Sequence, residues 1–518
     1  MSAANPWAEL ESSDDDFWDE DGPFGRGRRY DDDDGVAANG RKKRKKEERK
    51  REGRFADKYP QGDLRRTRLP VESSPWWDLI NHGDVRDEAS PTGMRFRRKF
   101  RLPMVLVERI VASAQRVAAF KDKPVGAGHG RGPPRHPLMI KVLAWLRHLG
   151  KGSDADELED AARISAVCLR AFFRDFGRWF EESWYTKLVK LPDGDKARRS
   201  MRVYEKMGFP GAFCETDGVH VAWANCAAKQ KPRFVGKEGY PTVAFDVSVT
   251  HNHEVINIAD WCAGAVNDKT QAVHDQLLQD LHSGTIMPEH VFQLYDEHGV
   301  LHDWKGVYTL VDAGYYLWRC LICPLKHAAG DSAAAWSEKL ESIRKGVECT
   351  FGILKKRFRI LAQDFEVRHA ADIQTVFRNC CALHNMLLKH DKLNTMGERP
   401  GDWVTAREYL ARQNLELSRS RHVVRAPSNL SGATGQREAG HAKLREALIK
   451  HFEYTSKHGL NQWLRPAAQT RARPHLPYNL ANLAGADPGD EHEMSEEEEE
   501  YVSPDDEEEE ADDEDDEL

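Results

Sequence analysis

No run of about 18 or more consecutive apolar residues occurs in this chain of 518 residues, so no membrane-spanning helix is expected. The opening MSAANPWAELESSDDD is acidic and lacks the basic-then-apolar order of a secretory signal. Cysteine is scarce and odd in number, nine in all, which argues against a disulfide scaffold and for a reducing compartment. The last stretch, Ser495–Leu518, holds 17 acidic residues and no basic one. Such a segment has nothing to bury and is expected to stay solvated and disordered.

Charge is abundant but uneven. The formal net charge is −9; residues 1–34 carry 12 acids against 3 bases, and setting aside both acidic ends leaves +17 for residues 35–494. A basic body between acidic ends is suited to binding a polyanion. Residues 1–94 show little apolar periodicity and are expected to form a disordered arm. Within it Arg41, Lys42, Lys43, Arg44, Lys45 and Lys46 open a basic block that reads as a nuclear localisation signal or a DNA-backbone arm. A merely solvated charge run is the plainer alternative. The flanking acids are expected to compete with DNA for the basic surfaces.

Residues 95–192 turn helical. Pro103 suits a first turn, PLMIKVLAWLRHLGKG stops at Gly150 and Gly152, and SDADELEDAARIS opens on Ser153 and Asp156 as a capping box. A further helix from Ser165 carries Arg170, Arg174 and Arg178. Short helix, turn and basic helix together suggest an all-α, helix-turn-helix-like unit with arginines for DNA phosphates. An ordinary three-helix packing unit is the alternative.

Residues 193–390 contain three acidic motifs, TDGVH with Asp217, LVDAGY with Asp312 and RKGVECTFG with Glu348. CETDGVHVAW, PTVAFDVSVT and EVINIADWCAG read as three successive strands, and VYTLVDAGY as a strand ending on Asp312. Ile343, Val347, Phe351 and Leu354 form the apolar stripe of a helix with Glu348 at its edge. Arg344, Lys345, Lys355, Lys356 and Arg359 share that flank and could meet phosphates. Phosphodiester chemistry uses two divalent ions held by carboxylates, and three acids on strand, strand and helix suit it. Singly, each acid has a plainer reading: a turn residue for Asp217 and Asp312, a solvated helix glutamate for Glu348. His220 shares the site if its strand bends. Asp268 reads as a helix N-cap near the site.

Other stretches carry less. His251-Asn252-His253-Glu254 reads as a hairpin turn rather than a metal cluster, and Cys320 and Cys323 as small core residues. His384 and Asn385 suit structural hydrogen bonds. Residues 391–490 form a polar, partly helical extension, with REYLARQNLELSRSR and HAKLREALIKHFEY as amphipathic candidates, and residues 491–518 the acidic tail.

GFPGAFCETDGVHVAWANC, GAVNDKT, LVDAGYYLWRCLICP, RKGVECTFGILKKRFRIL and NCCALHNML, in this order over roughly residues 95–390, resemble the blocks of PIF/Harbinger-type transposases, a branch of the DDE nucleases. The resemblance implies an α/β fold, with an RNase H-like catalytic core of mixed sheet behind the helix-turn-helix-like unit. Asp217, Asp312 and Glu348 match the three metal-binding acids, with two Mg2+ or Mn2+ ions per site. His220 and Asp268 are possible supporting residues around them. The resemblance also implies cleavage at transposon ends, strand transfer into target double-stranded DNA, a separately encoded Myb-like DNA-binding partner and a nuclear location. A homo-oligomer is expected because two DNA ends must be handled together. Two other functions stay open: a domesticated DNA-binding or chromatin adaptor, and a host nuclease without strand transfer.

Overall fold

The computed structural model describes residues 70–122, 136–192, 194–328, 330–399, 402–405 and 439–464. The basic block Arg41–Lys46, the acidic tail and the candidate helix REYLARQNLELSRSR lie outside them.

Two Ser-Pro steps start the first helices. In α1 (Pro75–Asn81) the Ser74 hydroxyl accepts from the Trp76 amide at 3.1 Å; in α2 (Pro91–Phe100) Ser90 accepts from Gly93 at 2.9 Å. Polarity assigns this stretch to the disordered arm, and the structure corrects that for residues 71–94. Trp76 is buried edge-on against Phe100 at 5.4 Å, and one aromatic per short helix is too little to show a period.

Helices α3 (Met104–Gln115), α4 (Leu138–Lys151), α5 (Ala155–Ala162) and α6 (Ala166–Phe180) follow. Pro103 caps α3 from outside its first turn, and α4 runs through Gly150 to stop at Gly152, whose φ of +74° suits glycine. The cap of α5 is Asp154, which accepts from the Glu157 amide at 2.8 Å, in place of the expected Ser153. Trp145, Phe172, Phe176, Trp179 and Phe180 stack through the middle of this layer.

After α7 (Gly194–Lys206) comes the mixed sheet: β1 (Ala212–Ala222), β2 (Thr242–Val249), β3 (Val255–Ile258) and the two-residue β4 (Cys262–Ala263). The expected third strand is thus broken in two. Helices α8 (Asp268–His274) and α9 (Gln276–Ser283) lead to a hairpin of β5 (Val291–Tyr295) and β6 (Leu301–Lys305), then β7 (Tyr308–Leu310) and β8 (Leu321–Ile322). The order is β3-β2-β1-β7-β8, with β4 also on β2. The β1-β2-β3 meander is antiparallel, and β1-β7-β8 are parallel.

Every residue of β2 is buried, as a central strand covered on both faces requires. One face packs on α10 (Asp331–Arg357) and α11 (Ala370–His390), with Phe245 stacked on Phe377 at 4.6 Å, in a core continuous with α2–α6. The other face packs on α8 and α9 through Ala272, Leu277, Leu278 and Leu281. Asn385 of α11 accepts from the Val255 amide and donates to the Val255 and Leu188 carbonyls, satisfying the edge of β3. His384 donates from Nε2 to the His253 carbonyl at 2.8 Å. Both therefore serve the structural role expected of them. Cys320 and Cys323 are buried in the core, and all nine cysteines are free thiols.

The later extension is less polar than its composition suggests. β9 (Trp403–Thr405) pairs with β10 (Gln462–Leu464), and α12 (Ala439–Lys457) buries Leu444, Leu448 and Phe452 against Phe209 and Trp336.

The β2–β3 connection is the expected turn. His251 is half-buried there, its Nε2–H donating to the Met396 carbonyl at 2.9 Å, and desolvation lowers its pKa to about 4. Below the unfolded value of about 6.5 the unfolded chain takes up a proton that the folded site refuses, so stability is lost as pH falls from about 6.5 towards 4. From this residue alone the loss at pH 5 is about 2 kcal/mol. Thermal melts at pH 7 and pH 5 should show that difference shrink in His251→Gln; an unchanged difference refutes the assignment.

Candidate active site

β1 alternates, so Glu215, Asp217, Val219 and Val221 face α10 while Thr216, Gly218 and His220 face the other side. β7 runs parallel to β1 with Leu310 beside Glu215; two residues further, the same register sets Asp312 beside Asp217. The strand itself ends at Leu310, so Asp312 stands just beyond it, in a turn where its backbone carbonyl accepts from the Tyr315 amide at 3.2 Å. The carboxyl ends of parallel strands are where ligands of open α/β sheets bind.

Glu348 approaches from α10. One turn before it, Arg344 is turned inward and only 8 % exposed. Its Nη1 lies 2.9 Å from both Asp217 Oδ2 and Glu348 Oε1, and its Nε donates to Glu341 Oε2 at 2.8 Å. Burial opposes the Arg344 charge, but Asp217, Glu341 and Glu348 outweigh it and raise its pKa. The sequence suggests a phosphate contact for Arg344; the structure pairs it with three carboxylates. Lys345, Lys355, Lys356 and Arg359 remain exposed on the same helix and the turn after it.

Burial raises the pKa of Asp217 to about 6, Arg344 pulls it down, and the fields of Asp312 and Glu348 push it up again. Asp217 therefore senses both of the other acids. Among the described residues the three acids do not bring ligand atoms within 4.8 Å of one another, whereas Glu88, His390 and Asp391 do. At that second cluster Arg97 is already seated, 2.7 Å from Glu88 and 2.6 Å from Asp391. It is an ion-pair network tying α2 to the end of α11.

Sequence reasoning missed Glu215. It is 2 % exposed, accepts from the Tyr204 hydroxyl at 3.0 Å and is pushed by burial to a pKa of about 8. A Cβ at Gly346 would run into its Oε2, so any side chain there would force the Glu215 carboxylate to shift. The available signal was the period of two that places residue 215 on the face of residue 217.

On the opposite face of β1, His220 Nδ1 is 2.9 Å from Thr242 Oγ1, and burial lowers its pKa. β1 stays paired to β2 through this point, so His220 does not bend round to Asp217. Asp268 is the first residue of α8, and the cap is Asn267, which accepts from the Thr270 amide at 2.9 Å. This frees the Asp268 carboxylate from the N-cap role expected of it. Asp246, opposite Gly218 in the ladder, accepts from the Tyr315 hydroxyl at 3.0 Å.

Arg170 pairs with Asp156, Arg174 with Asp175 at 2.9 Å and Arg178 with Asp372 at 3.5 Å. All three side chains are more than half exposed, so the pairs are weak and the cations available. They line a cleft of about 650 Å³ between α6, the 360–367 turn and α11.

A mixed sheet thus gathers acids near the carboxyl ends of its parallel strands, with cations on the adjoining helix. The family model described as plant transposon protein matches residues 186–394, which contain all three acids. The match agrees with the resemblance to PIF/Harbinger-type transposases. No curated protein and no solved structure matches the chain.

Proposed function

We propose that this protein is a metal-dependent DNA endonuclease of the transposase type, with an RNase H-like core and a helix-turn-helix-like unit over α4–α6. The observation that carries the reading is the approach of Asp217, Asp312 and Glu348 from β1, the turn after β7 and α10 to one edge of the sheet. Hard divalent cations prefer such all-oxygen donors, the donor type that two Mg2+ or Mn2+ ions require. When bound, two such ions activate the attacking oxygen and stabilise the leaving one.

The chain's own groups do the rest. Asp217, Asp312 and Glu348 hold the site in one geometry. Lys345, Lys355, Lys356 and Arg359 bind flanking phosphates, and Arg170, Arg174 and Arg178 position the duplex. Water attacks phosphorus in line and the 3′-oxygen of the element end departs with a proton. That 3′-hydroxyl then attacks a target phosphodiester and expels its 3′-oxygen. The reading includes Arg41–Lys46 as a nuclear localisation signal, a Myb-like DNA-binding partner and a homo-oligomer that pairs two ends.

One observation favours a second reading, a domesticated DNA-binding adaptor: Arg344 already neutralises Asp217 and Glu348. The two are separated by incubating the protein with labelled duplex carrying the element's terminal repeats, in Mg2+, Mn2+ or EDTA. Cleavage and joined products that vanish in EDTA support the transposase. Binding without cleavage in either metal supports the adaptor, and cleavage without joined products a host nuclease.

A further inference from the structure

We propose that Asp268 is a further carboxylate ligand of the divalent-cation site, sharing one ion with Asp312; this rests on the metal-dependent reading above. Two glycines reveal the arrangement. A Cβ added to Gly314 would lie 2.7 Å from Asp268 Oδ2 and 3.4 Å from Asp312 Oδ2, so these carboxylates meet across a bare Cα. A Cβ added to Gly218 would lie 3.7 Å from Asp268 Oδ1 and 3.7 Å from Asp246 Oδ1. Asp268 thus turns one oxygen towards the space it shares with Asp312 and the other towards the space it shares with Asp246.

The independent observation is Asp246. It is 1 % exposed and faces this niche from β2; Tyr315 satisfies Oδ1, while Oδ2 is buried without a hydrogen-bond partner among the described residues. A buried carboxylate oxygen left unpaired is costly unless a cation or proton meets it. Unlike Asp217 and Glu348, which share Arg344, none of Asp246, Asp268 and Asp312 makes an ion pair with a described side chain. Asp268 and Asp312, on either side of the bare Cα of Gly314 and without an ion pair to a described side chain, form a pair of oxygen donors for a small hard ion. Asp268 and Asp312 supply its ligands, and Asp246, held by Tyr315, borders the niche from β2.

The test is Mn2+ binding to the full chain, followed by the electron paramagnetic resonance of the free ion, in wild type, Asp312→Asn, Asp268→Asn and Asp268→Glu. Asn267 caps α8, so substitution at 268 leaves the helix start intact, and matching circular dichroism melts verify this. The expected result is weakening of one Mn2+ site by at least about tenfold in Asp268→Asn, as in Asp312→Asn, with partial recovery in Asp268→Glu. Unchanged binding in Asp268→Asn beside weakened binding in Asp312→Asn overturns the role of Asp268 alone. No Mn2+ binding by wild type overturns the metal-dependent reading itself.

Discussion

Asp312→Asn is expected to lower metal-dependent cleavage by on the order of 10³-fold or more, equivalent to several kcal/mol of transition-state stabilisation. The substitution keeps the shape of the side chain and its Oδ1, which accepts from the Ala313 amide. What it removes is the negative charge and a strong oxygen donor beside Asp217. The turn after β7 should therefore survive, and the melting temperature should stay within about 1 °C of wild type because no buried partner is orphaned. Steady-state cleavage rates and melts on the same preparations test both halves. A variant that melts like wild type and cleaves like wild type would remove Asp312 from the chemistry. One that fails to fold would point to a structural turn residue.

Arg344→Met carries the second large effect. Among the described residues Arg344 is the cation paired with Asp217, Glu341 and Glu348, and its removal leaves Asp217, with a side chain only 19 % exposed, beside other carboxylates. Breaking a buried pair in this way costs about 3–5 kcal/mol. The lower end applies because Glu341 and Glu348 are 36 % and 45 % exposed and water screens them. For a folded part of this size that is a fall of roughly 4 °C in melting temperature. The expected signature is its metal dependence. In EDTA the variant should melt well below wild type, whereas an excess of Mg2+, near 100 times its dissociation constant, should return about 2.7 kcal/mol. A melting temperature equally low with and without Mg2+ would show that Arg344 holds the packing of α10 against β1 and does not stand in for a cation.

The three acids were legible because each sits in a short motif whose neighbours announce the element: alternation around Asp217, an apolar run before Asp312, and the stripe of Ile343, Val347 and Leu354 beside Glu348. Arg344 was assigned to phosphate because a helix flank looks uniformly solvated in one dimension. Its partner Asp217 lies 127 positions earlier in the chain, and only the packing of α10 across β1 brings the two to 2.9 Å. Residues 71–94 were misassigned for a related reason. Their helices are short and capped by Ser-Pro steps, and Trp76 finds its pocket on Phe100, in the next helix.

The sequence by itself determined the strands and the helix that carry Asp217, Asp312 and Glu348, and the basic body between acidic ends, because periodicity and charge are local properties. Tertiary structure alone decided that Glu215 is buried behind Asp217, that Arg344 turns towards the acids, and that Asp268 and Asp312 both come close to the bare Cα of Gly314. Each of these depends on the order β3-β2-β1-β7-β8 and on the faces α8 and α10 present to it. A carboxylate's partner and burial follow from what packs opposite it, and those groups are distant in the chain.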